Sequence, residues 1–394
     1  MTQSRRTQLF LNVGHTLDHL FLLIYPTVVL AMAPQFGRSY GEMLALSLGA
    51  FIAFGAGSLP AGWLADRWSR RGMMILFFVG IGCASILTAA ARTPWQIAAA
   101  LTLIGVFGSI YHPVGVSMLV SGREKVGKVL GVNGVFGNLG LAFSALISGA
   151  LAQWFGWQSA FIVPGIISIG VGIAFARVVP RDPVHAKAAR KVARFSIPRE
   201  VLLRAFLILT VSTICGGVIF NSNVIAMPKV FDERLSALVS TTLGVGVLVS
   251  AVYAFAAMAQ LCVGYLLDRF SIKPVFMLIA AVQVPLLLLA AAASNYVMLG
   301  VALIMMFFVF GQIPINDAMV AAYTDEQWRS RVYAVRYVVS FGASALSVPL
   351  VALISRMSSD FSYLFVLLAG LAFAMFIAAL YFPAGSPRLA PQRA

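Results

Sequence analysis

Long apolar stretches alternate with short polar breaks from one end of the chain to the other. A bilayer core of about 30 Å is crossed by about 20 apolar residues in helical form. Runs of that kind fall at roughly 8–33, 42–65, 72–91, 95–120, 130–154 and 157–177. A polar, basic stretch from Val178 to Arg204 interrupts them, and six more follow at roughly 205–230, 237–266, 273–293, 296–323, 331–355 and 361–382. The pattern predicts an all-α membrane protein of twelve transmembrane helices. It divides into a six-helix half over 1–177, a basic linker over 178–204, and a second half with a short tail over 205–394. The first run outlasts a signal-peptide core and has no small-residue cleavage site after it, so it reads as a retained helix. Prolines 26, 60, 113, 164, 314 and 349 sit inside runs, as transporter helices tolerate. Glycines 131, 134, 137 and 140 lie at three-residue spacing on the fifth run, a face that lets another helix come close.

Composition agrees. Of 394 residues, 60% are hydrophobic and 10% charged, against about 25% charged in a soluble domain. So few charges cannot cover a soluble protein. The net charge of +15 points to a membrane surface once its distribution is considered, and no nucleic-acid partner is expected. Of 28 Lys and Arg, only Arg38, Arg92, Lys229, Arg234 and Arg356 fall on one side of the predicted topology. The other 23 fall on the side of both termini, which places the termini in the cytoplasm of a cell whose inner membrane the chain spans. The linker, with Arg181, Lys187, Arg190, Lys191, Arg194 and Arg199, reads as a topology anchor against anionic lipid. Cys83, Cys215 and Cys262 lie in separate apolar runs without metal-ligand spacing and read as packing residues.

The break after the second run is Gly62-Trp-Leu-Ala-Asp66-Arg67-Trp-Ser-Arg70-Arg71. A weaker copy stands in the same place in the second half, with Gly264, Asp268, Arg269 and Lys273. Val-Phe-Gly at 106–108 recurs at 309–311, each time shortly before an internal proline, and a basic cluster follows in each half at Arg123 to Lys128 and Arg329 to Arg331. Two similar halves would leave such repeats. Asp66 at the end of its helix can face the positive end of a neighbouring helix, or pair with an arginine across the seam between halves. Solvation of a loop is the plainer alternative.

Ionisable residues inside membrane helices are costly and functional by default. Here they are His15, Asp18 and His19 on the first helix, His112 on the fourth, Asp317 on the tenth and Arg336 on the eleventh. His15, Asp18 and His19 are spaced to share one side of their helix. Histidine titrates near neutral pH, so these three with His112 form a candidate proton-coupling set. A static network pinning the helices together competes with that reading. Histidines at i and i+4 also admit metal transport, with Met305, Met306 and Met319 as soft donors, or a membrane enzyme. The duplicated hinge favours a rocking two-fold architecture over an enzyme.

The hinge sequence resembles the signature of the major facilitator superfamily, matching at Gly62, Leu64, Ala65, Asp66, Arg67, Arg70 and Arg71, with Ser69 where glycine is usual. The resemblance implies a secondary transporter working by alternating access about a cavity lined by helices 1, 4, 7 and 10. It implies a cavity set of Tyr25, Tyr111, Asn221, Asn223, Gln312, Asn316 and Asp317, with helices 3, 6, 9 and 12 nearly devoid of polar residues. It also implies that Asp66 latches the outward-open state against the eleventh helix, where Arg336 is a partner. Gly-His-Thr-Leu-Asp-His, Tyr-His-Pro and Asn-Gly-Val-Phe-Gly-Asn-Leu-Gly resemble the fosmidomycin-resistance-like branch, whose members export drugs against protons. A helix-4 arginine and a Gly-Pro signature on helix 5, both tied to antiport, are absent here. Proton-coupled export of a small organic solute by a monomer without cofactor or metal is the expectation, with proton-coupled uptake of a small metabolite as the alternative.

Overall fold

The computed structural model describes residues 3–120, 127–180, 198–324, 326–357 and 361–383. Within these, twelve helices are long and apolar enough to cross a membrane. They are α1 (Arg5–Gln35), α2 (Tyr40–Arg67), α3 (Arg70–Ala90), α4 (Pro94–Val120), α5 (Val129–Phe155), α6 (Ser159–Val178), α7 (Arg199–Arg234), α8 (Thr242–Arg269), α9 (Ile272–Ala292), α10 (Asn295–Tyr323), α11 (Val338–Met357) and α12 (Ser362–Leu380). Helix α11 continues ahead of its span to Glu326. No strand occurs among the described residues. The basic residues at 123–126, most of the linker (181–197) and the tail from 384 lie outside the described residues.

Polar caps set the breaks between helices. Ser39 with Glu42 opens α2, and Thr93 with Gln96 opens α4, each as a reciprocal capping box. Ser69 and Thr241 accept from the first turns of α3 and α8. Each cap satisfies an N–H that hydrocarbon cannot. Helix α7 runs beyond the end of its apolar run because Lys229 pairs with Asp232 and Glu233 at 2.9 and 3.3 Å within the same helix. Exposed Trp95, Trp154, Phe155, Tyr296 and Tyr363 stand at helix ends on the face away from Arg5, as aromatic residues do at a membrane interface.

The halves pack alike. In the first, α1 lies against α5, α2 against α4 and α3 against α6; in the second, α7 lies against α11, α8 against α10 and α9 against α12. A shift of six helices converts one set into the other. The seam consists of α2 on α11 and α5 on α8, which the same shift exchanges. Contact at both is backbone-close: a Cβ on Gly41 would lie 2.5 Å from the Ala352 carbonyl oxygen, and one on Gly246 would lie 2.3 Å from that of Ala145.

That closeness is confined to one side of the molecule. There the Tyr40 hydroxyl reaches Pro26 O of α1 at 3.2 Å and Ile225 O of α7 at 3.5 Å, closing the halves over the space between them. Towards the face bearing Arg5 and Leu380, the seam helices part. A Cβ on Gly131 of α5 or Gly264 of α8 would meet nothing within 4 Å, and one on Gly62 would meet only Pro113 of its own half. The molecule is open to the face on which the chain ends lie.

The fifth-helix glycines therefore divide. Gly140 lets α1 approach so closely that a Cβ would lie 2.1 Å from Thr16 O, whereas Gly131 and Gly134 face open space. Gly131→Ala is expected to raise stability by about 0.5–1 kcal/mol through helix propensity. Gly140→Ala should lower it by roughly 1–3 kcal/mol through overpacking. Thermal unfolding in detergent checks the opposite signs.

Candidate functional site

Five polar side chains of α1, Asn12, His15, Thr16, Asp18 and His19, recur at spacings of three and four and so face α4 and α5. Helix α5 meets them without side chains at the closest points, since a Cβ on Gly137 would lie 2.6 Å from the His15 ring. His15 Nδ1 is 2.8 Å from Asn133 O. A carbonyl only accepts, so Nδ1 carries the proton, and Nε2 turns its lone pair to His19 Nε2 at 3.2 Å. Thr16 donates to Phe136 O at 2.8 Å. Asn133 donates to Asn12 Oδ1 at 3.0 Å and to the Tyr111 hydroxyl at 2.9 Å, and that hydroxyl donates to Leu11 O at 2.7 Å.

Helix α4 is widened to a π turn over Tyr111–Gly115, where Pro113 has no N–H to give. Adjacent residues Tyr111 and His112 both reach α1 from this turn. Tyr111 stacks on His15 with ring centroids 4.9 Å apart, and His112 meets the same ring edge-on at 5.3 Å.

Asp18 is wholly buried, and neither of its oxygens accepts a hydrogen bond from the described residues. His112 Nε2 stands 3.4 Å from Oδ2, near enough for an ion pair but outside hydrogen-bond geometry. A carboxylate so desolvated keeps its charge only at high cost unless a cation or a proton neutralises it. The ligating nitrogens of His15, His19 and His112 lie within 4.8 Å of one another, a spacing that also suits one metal ion. Asp18 is not among those converging atoms.

The second half places its polar residues differently. Ser212 of α7 donates to Asn316 Oδ1 at 2.7 Å and accepts from Gln312 Nε2 at 2.9 Å, a neutral network between α7 and α10. Asn221 and Asn223 donate to Gly217 O and Ile219 O of their own helix. Tyr25 is buried with its hydroxyl on Met43 O, apart from the histidines, so both it and the buried Asn223 are held by local bonds rather than turned to an open cavity. Asp317 pairs with Arg336 near the open face.

At the hinge, Asp66 holds Arg70 at 2.9 Å, Arg67 lies over the Trp63 ring at 4.3 Å, and Arg71 donates to Val179 O at 2.7 Å and to Ala176 O. Arg71 thereby caps the carbonyl end of α6. The second copy repeats one of these contacts, Arg269 over Tyr265 at 4.2 Å. Asp268 is exposed, and Ile272 stands where Arg70 stands in the first copy. The Asp66–Arg336 latch, expected of the outward-open state, is not closed in this state, which is open to the face bearing Arg5 and Leu380. Where the seam helices part, each charge takes a partner from its own half.

Sequence reasoning missed Asn12, Asn133, Thr16 and Ser212. Asn12 stands three residues before His15 on the same face, and Asn133 opens the glycine stretch that meets it, so helical spacing carried a signal for both.

The family model described as Major Facilitator Superfamily matches residues 17–252 and 235–394. The chain is similar to the puromycin resistance protein pur8 of Streptomyces alboniger, 30% identical over 142 residues, which are 35% of this chain and 28% of that protein. It is also similar to a multidrug resistance protein B homolog of Mycobacterium tuberculosis, 24% identical over 172 residues, 43% of this chain and 32% of that one. The matched stretches thus span about a third of these relatives' lengths. Among solved structures, a bacterial homolog of the human lysosomal transporter Spinster, in an inward-facing and unoccupied conformation, superposes with a TM-score of 0.77. The match covers 97% of this chain and 95% of that one at 13% identity, a likeness of fold.

Tyr111→Phe removes the side-chain donor to Leu11 O and leaves Asn133 Nδ2 without one acceptor. It should cost about 1–3 kcal/mol of stability, read as a lowered unfolding temperature, while Tyr25→Phe leaves the histidine spectrum by NMR unchanged.

Proposed function

Because the chain belongs to the major facilitator superfamily, a family of membrane transporters, we propose that it exports a small organic solute across the cytoplasmic membrane in exchange for protons. The observation that carries the reading is Asp18: a wholly buried carboxylate without a hydrogen bond from the described residues, beside His112. The names of the resistance proteins to which the chain is similar support export. The excess of Lys and Arg on the open side supports a cytoplasmic position for that face.

His112 retains 13% of its side-chain exposure and Asp18 none, so His112 is the port through which a proton reaches the carboxylate. A proton arriving on Nε2 makes an imidazolium 3.4 Å from Asp18 Oδ2, which offsets the cost of the buried carboxylate charge. His15 and His19 extend the relay along α1, and the Asn133 bridge keeps all of these rings in place. When the halves rock to the opposite state, α2 and α11 close at the cytoplasmic face, and Asp66 comes within reach of Arg336. The neutral Ser212–Gln312–Asn316 network offers donors and acceptors to the solute without competing for protons. The exporter acts as a monomer, since one chain carries both halves of the pathway.

Asp18→Asn keeps the shape and removes the titrating group. In proteoliposomes screened against a panel of drugs and metabolites, gradient-driven accumulation should fall about tenfold or more while solute exchange stays within about twofold. Undiminished accumulation would place coupling elsewhere. For orientation, cysteines at Ser271 and Ser294 in a variant free of Cys83, Cys215 and Cys262 should label oppositely in intact cells. Ser294→Cys reacts with a membrane-impermeant thiol reagent and Ser271→Cys is protected; the reverse result inverts the topology.

A further inference from the structure

The histidine group belongs to the first half, yet among the described residues a side chain of the second half touches it. Phe341 of α11 crosses the seam to lie 5.5 Å from the His112 ring centroid, and packs edge-on against Phe54 of α2 at 4.7 Å. Phe54 in turn meets His112 at 6.0 Å. The three rings close a triangle beside the buried carboxylate: a Cβ on Gly108 would lie 3.2 Å from Phe54 and 3.4 Å from Asp18 Oδ1.

The triangle also stands where the seam begins to open. Gly55, next to Phe54, brings α2 so near α11 that its Cβ would lie 3.0 Å from the Phe341 Cβ. From there towards the open face the two helices separate, and Gly62 has only its own half for company. A close contact of α2 with α11 is thus made at Phe341, whose ring lies tilted against that of His112.

We infer that Phe341 is a positioning residue for coupling, the side chain through which the charge on His112 bears on the angle between the halves. This rests on the proton-coupling reading above. An imidazolium within about 6 Å of an aromatic ring centroid is attracted by the ring's negative face, and more strongly where water is excluded. A neutral imidazole gains only ordinary ring contact. Charging His112 therefore strengthens a contact that exists in the state open to the chain-end face, and favours that state by the difference in interaction between the two states and no more. Among the described residues, the titratable groups facing His112 are Asp18, His15 and His19 from α1 and Tyr111 from α4 itself, while α2 presents Phe54 and α11 presents Phe341.

The test needs no substrate. Cysteines at Gly131 of α5 and Gly264 of α8, positions with open space on either side of the parted seam, carry spin labels in the otherwise cysteine-free full chain in liposomes. Pulsed electron resonance then gives the populations of the open and closed states between about pH 8 and about pH 5, the range in which histidine charges. The wild-type ratio should move towards the open state on acidification by on the order of threefold to tenfold. Phe341→Leu, which keeps an apolar side chain and loses the ring, should flatten that response, and Phe341→Trp should restore it. A Phe341→Leu response as steep as wild type, even with the populations offset at every pH, makes Phe341 a steric spacer and overturns the inference while leaving proton coupling intact. A flat wild-type response overturns the coupling reading itself, and the role of Phe341 with it.

Discussion

The approach of α1 to α5 is the contact on which the first half depends. With hydrogen in place of side chains at 137 and 140, the two backbones come close enough for Thr16 to reach Phe136 O and for His15 to reach Asn133 O. Hydrocarbon offers no partners to polar groups, so a polar face in mid-helix survives only if a neighbour supplies them at hydrogen-bond distance. Asn133 does so for α1 and α4 together, through Asn12 and Tyr111. Every ring of the histidine group is held by this one bridge or by a ring that is.

The two halves share their packing but divide their chemistry. The first carries histidines and a carboxylate in its buried interior; the corresponding region of the second carries Ser212, Gln312 and Asn316, which bond to one another and hold no charge. Its charged pair, Asp317 with Arg336, stands near the open face instead. A pseudo-symmetric frame allows this because backbone pairing is set by small residues and caps, while the residues pointing inward vary at little cost to the frame.

How much of this the sequence carried depends on the range of the forces involved. The twelve spans were legible because a bilayer imposes length and apolarity on each helix separately. The grouping of His15, Asp18 and His19 followed from helical period. The meeting of His112 with them rests on a π turn at Tyr111–Gly115, a local change of winding at Pro113 that periodicity does not report. Glycine spacing named four positions on α5, yet only 137 and 140 carry close contact, because the partner α1 crosses α5 there and diverges beyond. Which partner Asp66 takes in this state was not legible: Arg70 stands four residues on, and whether Asp66 holds it or a residue of the opposite half depends on which face of the molecule is open.

Arg71 ties the start of α3 to the end of α6, and Arg234 ties the end of α7 to the end of α9 through Ala290 O at 2.5 Å and Ala293 O at 3.2 Å, with Ser362 of α12 at 3.0 Å. These clasps sit at helix ends inside each half, on opposite faces of the membrane, and none crosses the seam. Each clasp therefore holds helices of one half to one another, and the arm of a half from mid-membrane to either face is about 15 Å, half of a bilayer core of about 30 Å. A turn of roughly 20° about a pivot at mid-depth moves the tip of such an arm by about 5 Å, the pitch of one helical turn.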